Sequence, residues 1–111
     1  MIELLAEVKA SVFQEYSRAA GLFGHTNNSH HESYAVIKEE FEEANDCSVD
    51  FFEQMDKLWN NIKANVDLVI VKDRLVNMQE LAEQASAEWI QVAAMCYKAQ
   101  KKRQAKEAVV S

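Results

Sequence analysis

Four glutamates crowd the segment Lys38-Glu39-Glu40-Phe41-Glu42-Glu43, and on a helix the spacing of three between Glu40 and Glu43 turns both carboxylates to the same side. Two such groups left unpaired repel each other at a cost of about 0.2–0.5 kcal/mol. A hard divalent cation such as Mg2+ removes the repulsion and takes oxygen ligands in octahedral geometry. The same spacing returns at Glu88 and Gln91, within Ala87-Glu88-Trp89-Ile90-Gln91-Val92-Ala93-Ala94-Met95. Those surroundings are apolar, where an unpartnered carboxylate is costly. A cation shared by the two segments accounts for oxygen ligands on both. The commoner fate of a glutamate-rich helical run is a solvated face, and of a lone glutamine a hydrogen-bonded core position. The metal reading therefore rests on the two segments together.

The elements that must position these groups are helices. Ile2, Leu5, Val8, Val12, Phe13, Tyr16, Ala19, Ala20 and Phe23 recur at helical spacing, and Gly21 and Gly24 end the pattern before a loop through Asn28. Ser29 and Glu32 form an S-x-x-E capping box, with the hydroxyl on the Glu32 amide and the carboxylate reaching back to Ser29. Tyr34, Ile37, Phe41 and Ala44 continue the second helix. The signal weakens at Asn45-Asp46-Cys47-Ser48, which predicts a break and a third helix carrying Phe51, Phe52, Met55, Leu58, Trp59 and Ile62. After a loop at Asn65-Val66-Asp67, a fourth helix is expected over about 68–105. The β-branched run Val66 to Val71 has strand character, but a lone strand has no partner. The fold class expected is all-α, an antiparallel bundle of about four helices in one domain over 1–111.

Composition narrows the partners. The chain has 111 residues, no Pro and two Gly, with 49% hydrophobic and 27% charged residues, which excludes both a disordered chain and a turn-rich β fold. The longest purely apolar run, Leu68 to Val71, is far too short for a bilayer, and Glu3 and Glu7 stand where a signal peptide needs basic residues. A net charge of −6 argues against the phosphate backbone of nucleic acid as main partner. Cys47 and Cys96 lack paired spacing and read as reduced, as in a cytoplasmic protein.

The residues quoted resemble the MazG-like all-α nucleotide pyrophosphohydrolases, which carry an E-E-x-x-E helix and a later E-x-x-D helix. Glu39-Glu40-Phe41-Glu42-Glu43 matches the first motif at each acidic position. Glu88 matches the second, with Gln91 where the family usually has aspartate. Together with His31-Glu32-Ser33-Tyr34-Ala35-Val36-Ile37, the phrase from Glu88 to Met95 is similar to a phage and bacterial branch in which that glutamine is usual. The likeness covers about residues 29–100, and the helix over about 50–63 resembles a branch-specific insertion. It implies Glu40, Glu43 and Glu88 as Mg2+ ligands, with Glu39 close by. A nucleoside triphosphate would be hydrolysed to a monophosphate and pyrophosphate by water positioned by Glu39 or Glu43. It also implies a homodimer or homotetramer. Gln91 can offer a carbonyl oxygen but neither charge nor base, so a three-carboxylate site should hold Mg2+ less tightly. That departure keeps a second reading open, a catalytically silent helical nucleotide-binding or protein-interaction module. A purely structural bundle is the third.

Other residues have two readings each. His31, beside His30 at the start of the acidic helix, could meet a phosphate at exposed amides, or simply lie at the surface. Lys38 could contact phosphate or pair with Glu42 one turn on. Trp59, near Asn60 and Lys63, could stack on a base, although tryptophan at apolar spacing more often packs in a core. Lys98, Lys101, Lys102, Arg103 and Lys106 read as a solvated basic tail over about 98–111, favoured by the helix dipole and lacking interleaved aromatics.

Overall fold

The computed structural model describes residues 2–101, which form three α-helices and no strand: α1 (Ile2–Phe23), α2 (His30–Lys63) and α3 (Leu68–Ala99). Among these residues no helix is long and apolar enough to cross a membrane. Helices α2 and α3 make an antiparallel hairpin, and α1 packs against the C-terminal part of α3.

Local chemistry sets the boundaries. Gly24 takes a φ of +93°, which glycine reaches without strain, and its amide donates to the Ala20 carbonyl at 2.9 Å to close α1. The Tyr16 hydroxyl donates to the His25 carbonyl at 3.0 Å and pins the following loop. Ser29 caps α2 by accepting from the Glu32 amide at 3.1 Å. The other half of the expected box differs: the Glu32 carboxylate accepts from the Asn28 amide nitrogen at 2.9 Å. At the far end Asn65 adopts a left-handed φ of 52°, which asparagine tolerates, and turns the chain into α3.

The break expected at residues 45–48 does not occur. What was expected as a separate helix over about 50–63 is the second half of α2, so the described residues form three helices where about four were expected. Neither Gly nor Pro interrupts the stretch, and the Ser48 hydroxyl donates back to the Ala44 carbonyl at 3.3 Å, satisfying itself without ending the helix. Ala44 is fully buried, so packing against α3 holds the helix together where propensity is weakest. The β-branched run is likewise helical from Leu68 onward. The fourth helix expected to 105 is α3, and it ends at Ala99.

The core is thin. Tyr16, Ala20 and Ala94 form its centre, with Val12, Met95 and Tyr97 packed around them, and the Tyr16 and Tyr97 rings meet edge to face at 4.8 Å. Away from α1, Arg74 ties the hairpin by donating from Nε to Asn61 Oδ1 at 2.9 Å and from a terminal nitrogen to Gln54 Oε1 at 2.6 Å. The radius of gyration is 19.2 Å, against about 13 Å for a compact chain of this length. Among the described residues no large side chain is fully buried, and Leu68, Val69, Phe52, Trp59 and most of the α1 N-terminal half are exposed.

Because Ala44 is sealed between helices, Ala44→Leu is expected to lower unfolding free energy by about 1–3 kcal/mol. The same change at exposed Ala35 should stay within about 0.5 kcal/mol. Urea denaturation of both variants checks this.

Candidate functional site

The antiparallel register of α2 and α3 builds the site. Glu40 and Glu43 project from one turn of α2 and Glu88 from α3, and one carboxylate oxygen of each lies within 4.8 Å of the other two. Glu40 and Glu88 are half-buried and Glu43 is exposed. Three carboxylates at that separation are a donor set suited to a hard, oxygen-seeking cation.

Gln91 sits among them. With its amide nitrogen facing the carboxylates, the orientation that avoids setting oxygen against oxygen, it donates to Glu40 Oε2 at 2.9 Å and to Glu88 Oε2 at 3.2 Å. Here the glutamine offers hydrogen to the acidic groups, whereas the sequence suggested a carbonyl oxygen turned to an ion. Burial is the main cause that raises the Glu40 carboxyl above the ordinary carboxylate value of 4.5, and the charges of Glu43, Glu88, Glu39 and Glu15 add to it. The nearby Cys47 thiol is also pushed up, by desolvation and then by Glu88 and other acids, which leaves it a poor nucleophile.

Beside the carboxylates opens a cleft of about 440 Å3. Helix α1 lines one wall with Glu15, Arg18, Ala19 and Phe23, α2 another with Glu32, Val36, Glu39 and Glu40, and α3 the floor with Gln91, Met95 and Lys98. Asn27, from the α1–α2 loop, is buried there and donates to the buried Ser33 hydroxyl at 2.8 Å. Arg18 is engaged by Glu15, with Nε 3.1 Å from both carboxylate oxygens, and that pairing lowers the Glu15 pKa.

The predicted residues divide. Glu40, Glu43 and Glu88 come together, Gln91 bridges two of them, and Glu39, exposed, lines the cleft. Lys38 instead faces solvent and lies 3.9 Å from Glu42 one turn on, and His31 is exposed in the first turn of α2; neither lines the cleft. Trp59 is more than half exposed, in neither the core nor the cleft.

The solvated-tail reading fails for Lys98, which is only 6% exposed. Its position was readable, since Glu88, Gln91, Met95 and Lys98 fall at i, i+3, i+7 and i+10 along one helical face. Lys101 folds over the Tyr97 ring at 4.2 Å and donates to its hydroxyl at 2.8 Å. Lys102, Arg103 and Lys106 lie outside the described residues. Glu15, Arg18 and Asn27 carried no sequence signal, because only long-range packing of α1 and its loop brings them to the acidic helix.

No protein-family model, curated protein or solved structure matches this chain.

A carboxyl group whose pKa is raised on folding contributes stability that is fully present below its unfolded value and is lost as pH rises through the folded value. Glu40 is such a group, so in EDTA its contribution should disappear as pH climbs from the ordinary 4.5 through the raised value. Glu40→Gln keeps an acceptor for Gln91 but carries no charge. At neutral pH without metal it is expected to melt about 1–4 °C above the parent, with the two converging below pH 4.5. Melting scans across pH decide it.

Proposed function

We propose that this chain is a Mg2+-dependent nucleoside triphosphate pyrophosphohydrolase that releases a nucleoside monophosphate and pyrophosphate. The observation that carries the reading is the convergence of Glu40, Glu43 and Glu88 from two helices to within 4.8 Å. The likeness of the acidic segments to MazG-like enzymes supports the choice of reaction.

Glu40, Glu43 and Glu88 are the residues that would hold the ion, and their donor set fits it: three hard oxygens and a surplus of negative charge. An Mg2+ bound there would supply neutralisation of phosphate oxygens and withdrawal of charge from the reacting phosphorus. Gln91 keeps Glu40 and Glu88 oriented through its two hydrogen bonds. Glu39, on the cleft wall beside Glu40, is placed to accept a hydrogen bond from water and to take its proton as the water oxygen bonds to phosphorus. Glu43 can serve the same role from the exposed edge of the cluster. The phosphorus–oxygen bond to pyrophosphate then breaks, and the proton leaves to solvent from the carboxylate.

A second reading, a silent nucleotide-binding module, is favoured by Gln91. Its amide partly satisfies the acidic cluster with no cation, and it cannot ionise. Incubating the protein with a panel of ribo- and deoxynucleoside triphosphates and Mg2+ separates the two. Pyrophosphate release from at least one supports the hydrolase. Mg2+-dependent binding without any release supports the silent module. Neither release nor a Mg2+-dependent change in melting temperature removes both and leaves a structural bundle.

The assembly belongs to the same proposal. Exposed Leu68, Val69 and Ile70 at one end of the hairpin and Ile2, Leu4 and Leu5 on α1 form apolar surface beyond what a small monomer leaves in water. A homodimer or homotetramer covers it. Light scattering is expected to give at least twice the 12.7 kDa of one chain, and monomer alone at high concentration contradicts it.

A further inference from the structure

Lys98 is the most deeply buried charged side chain among the described residues, 6% exposed, and it lines the cleft. Neither ion pair of the described residues includes it, and its ammonium makes none of their hydrogen bonds. Its stem is packed away while its nitrogen still meets the solvent of the cleft, since no buried side-chain nitrogen or oxygen of the described residues lacks a partner. An ammonium held there with no carboxylate on it points to an anion that arrives from outside. The structural alternative, that Lys98 neutralises a neighbouring glutamate, would put a carboxylate in contact with it. Of the cleft carboxylates, Glu15 is engaged by Arg18, Glu32 by Asn28 and Glu40 by Gln91, and Glu39 makes no ion pair with Lys98.

Its position along α3 selects the anion. Lys98 lies seven residues beyond Gln91 on the same face, about 10.5 Å along the axis, and a helical side chain leans back toward the N-terminus. The four-carbon stem can thus reach back along the cleft toward the carboxylates, over a separation that suits a condensed phosphate better than a single one. Asn27 lines the cleft as well and has a second amide hydrogen to offer.

We infer that Lys98 is the anchor for the far phosphate of a di- or triphosphate whose other end lies at Glu40, Glu43 and Glu88. This rests on the metal-dependent reading of those carboxylates, because a bare polyphosphate would be repelled by them. It adds a residue that discriminates condensed phosphates from orthophosphate.

The test uses the full chain, saturating Mg2+ and inorganic tripolyphosphate, with affinity from calorimetry and melting temperature recorded with and without the anion. Wild type is expected to bind tripolyphosphate and to bind orthophosphate far more weakly. Lys98→Met should lose about tenfold or more in tripolyphosphate affinity, with Mg2+ affinity in the absence of the anion unchanged. Its melting temperature should gain little on adding the anion. Lys98→Arg keeps the charge and should recover most of the affinity, which controls for any loss of folding in the methionine variant. Unchanged tripolyphosphate affinity in Lys98→Met overturns the inference. Lys98-dependent polyphosphate binding in a protein that hydrolyses no nucleotide upholds the anchor and removes only the hydrolase reading. Nucleotide hydrolysis by Lys98→Met with wild-type KM removes only the anchor.

Discussion

Like charges held close together between two helices are the constraint from which the rest of this molecule follows. Glu40 and Glu88 sit half-buried across the α2–α3 interface with Glu43 at its edge. Burial and mutual repulsion together raise the Glu40 pKa. An arrangement that costs free energy persists where the surrounding structure over-determines it. Here the hairpin is fixed at one end by Arg74 with Gln54 and Asn61, and near its middle by buried Ala44. Gln91 offsets part of the repulsion by donating to both carboxylates at once. An aspartate at that position would add a fourth charge to the same small volume. The glutamine therefore makes the cluster easier to fold without a cation and would leave a bound cation less strongly favoured, both through one amide.

The acidic site was legible because its signals are local. Glu40 and Glu43 share a face by spacing alone, and so do Glu88 and Gln91. That the two pairs meet follows once both helices exist and the loop between them is short enough to make them antiparallel. Ser29 and Gly24 marked helix ends correctly because each acts on backbone groups within a turn of itself. The break at residues 45–48 was misread for the opposite reason. Asn45, Asp46 and Ser48 are mild helix formers, and what overrides a mild preference is tertiary contact, in this case Ala44 sealed against α3. Lys98 was misread because cations near a helix C-terminus are ordinarily solvated, a rule about ends that ignores the face on which a residue stands.

Helix α1 converts an acidic strip into a cleft. Without it, Glu39, Glu40 and Gln91 would lie on an open groove of the hairpin. With it, Arg18, Ala19 and Phe23 form an opposing wall. Its anchor is aromatic: Tyr16 packs edge to face on Tyr97 while its hydroxyl holds the His25 carbonyl. The same tyrosine thus fixes the helix to α3 and the loop that carries Asn27. None of this reads from α1 alone, where Glu15 and Arg18 look like an ordinary surface pair.

The thin core has a consequence for how the cleft is supported. Apolar surface left exposed includes the N-terminal end of α1 and the turn end of the hairpin, besides Phe41, Phe52 and Trp89 along its length, whereas Glu40 and Lys98 line the cleft to which all three helices contribute. A second copy seated on those ends would stiffen α1 and the hairpin without filling the cleft. Rigidity matters because the ammonium of Lys98 and the acidic cluster can act on one ligand only if the helical face from Glu88 to Lys98 keeps its length and α1 stays closed over it. Assembly and ligand binding would then be coupled through the position of α1, which contributes to both the exposed apolar surface and the cleft wall.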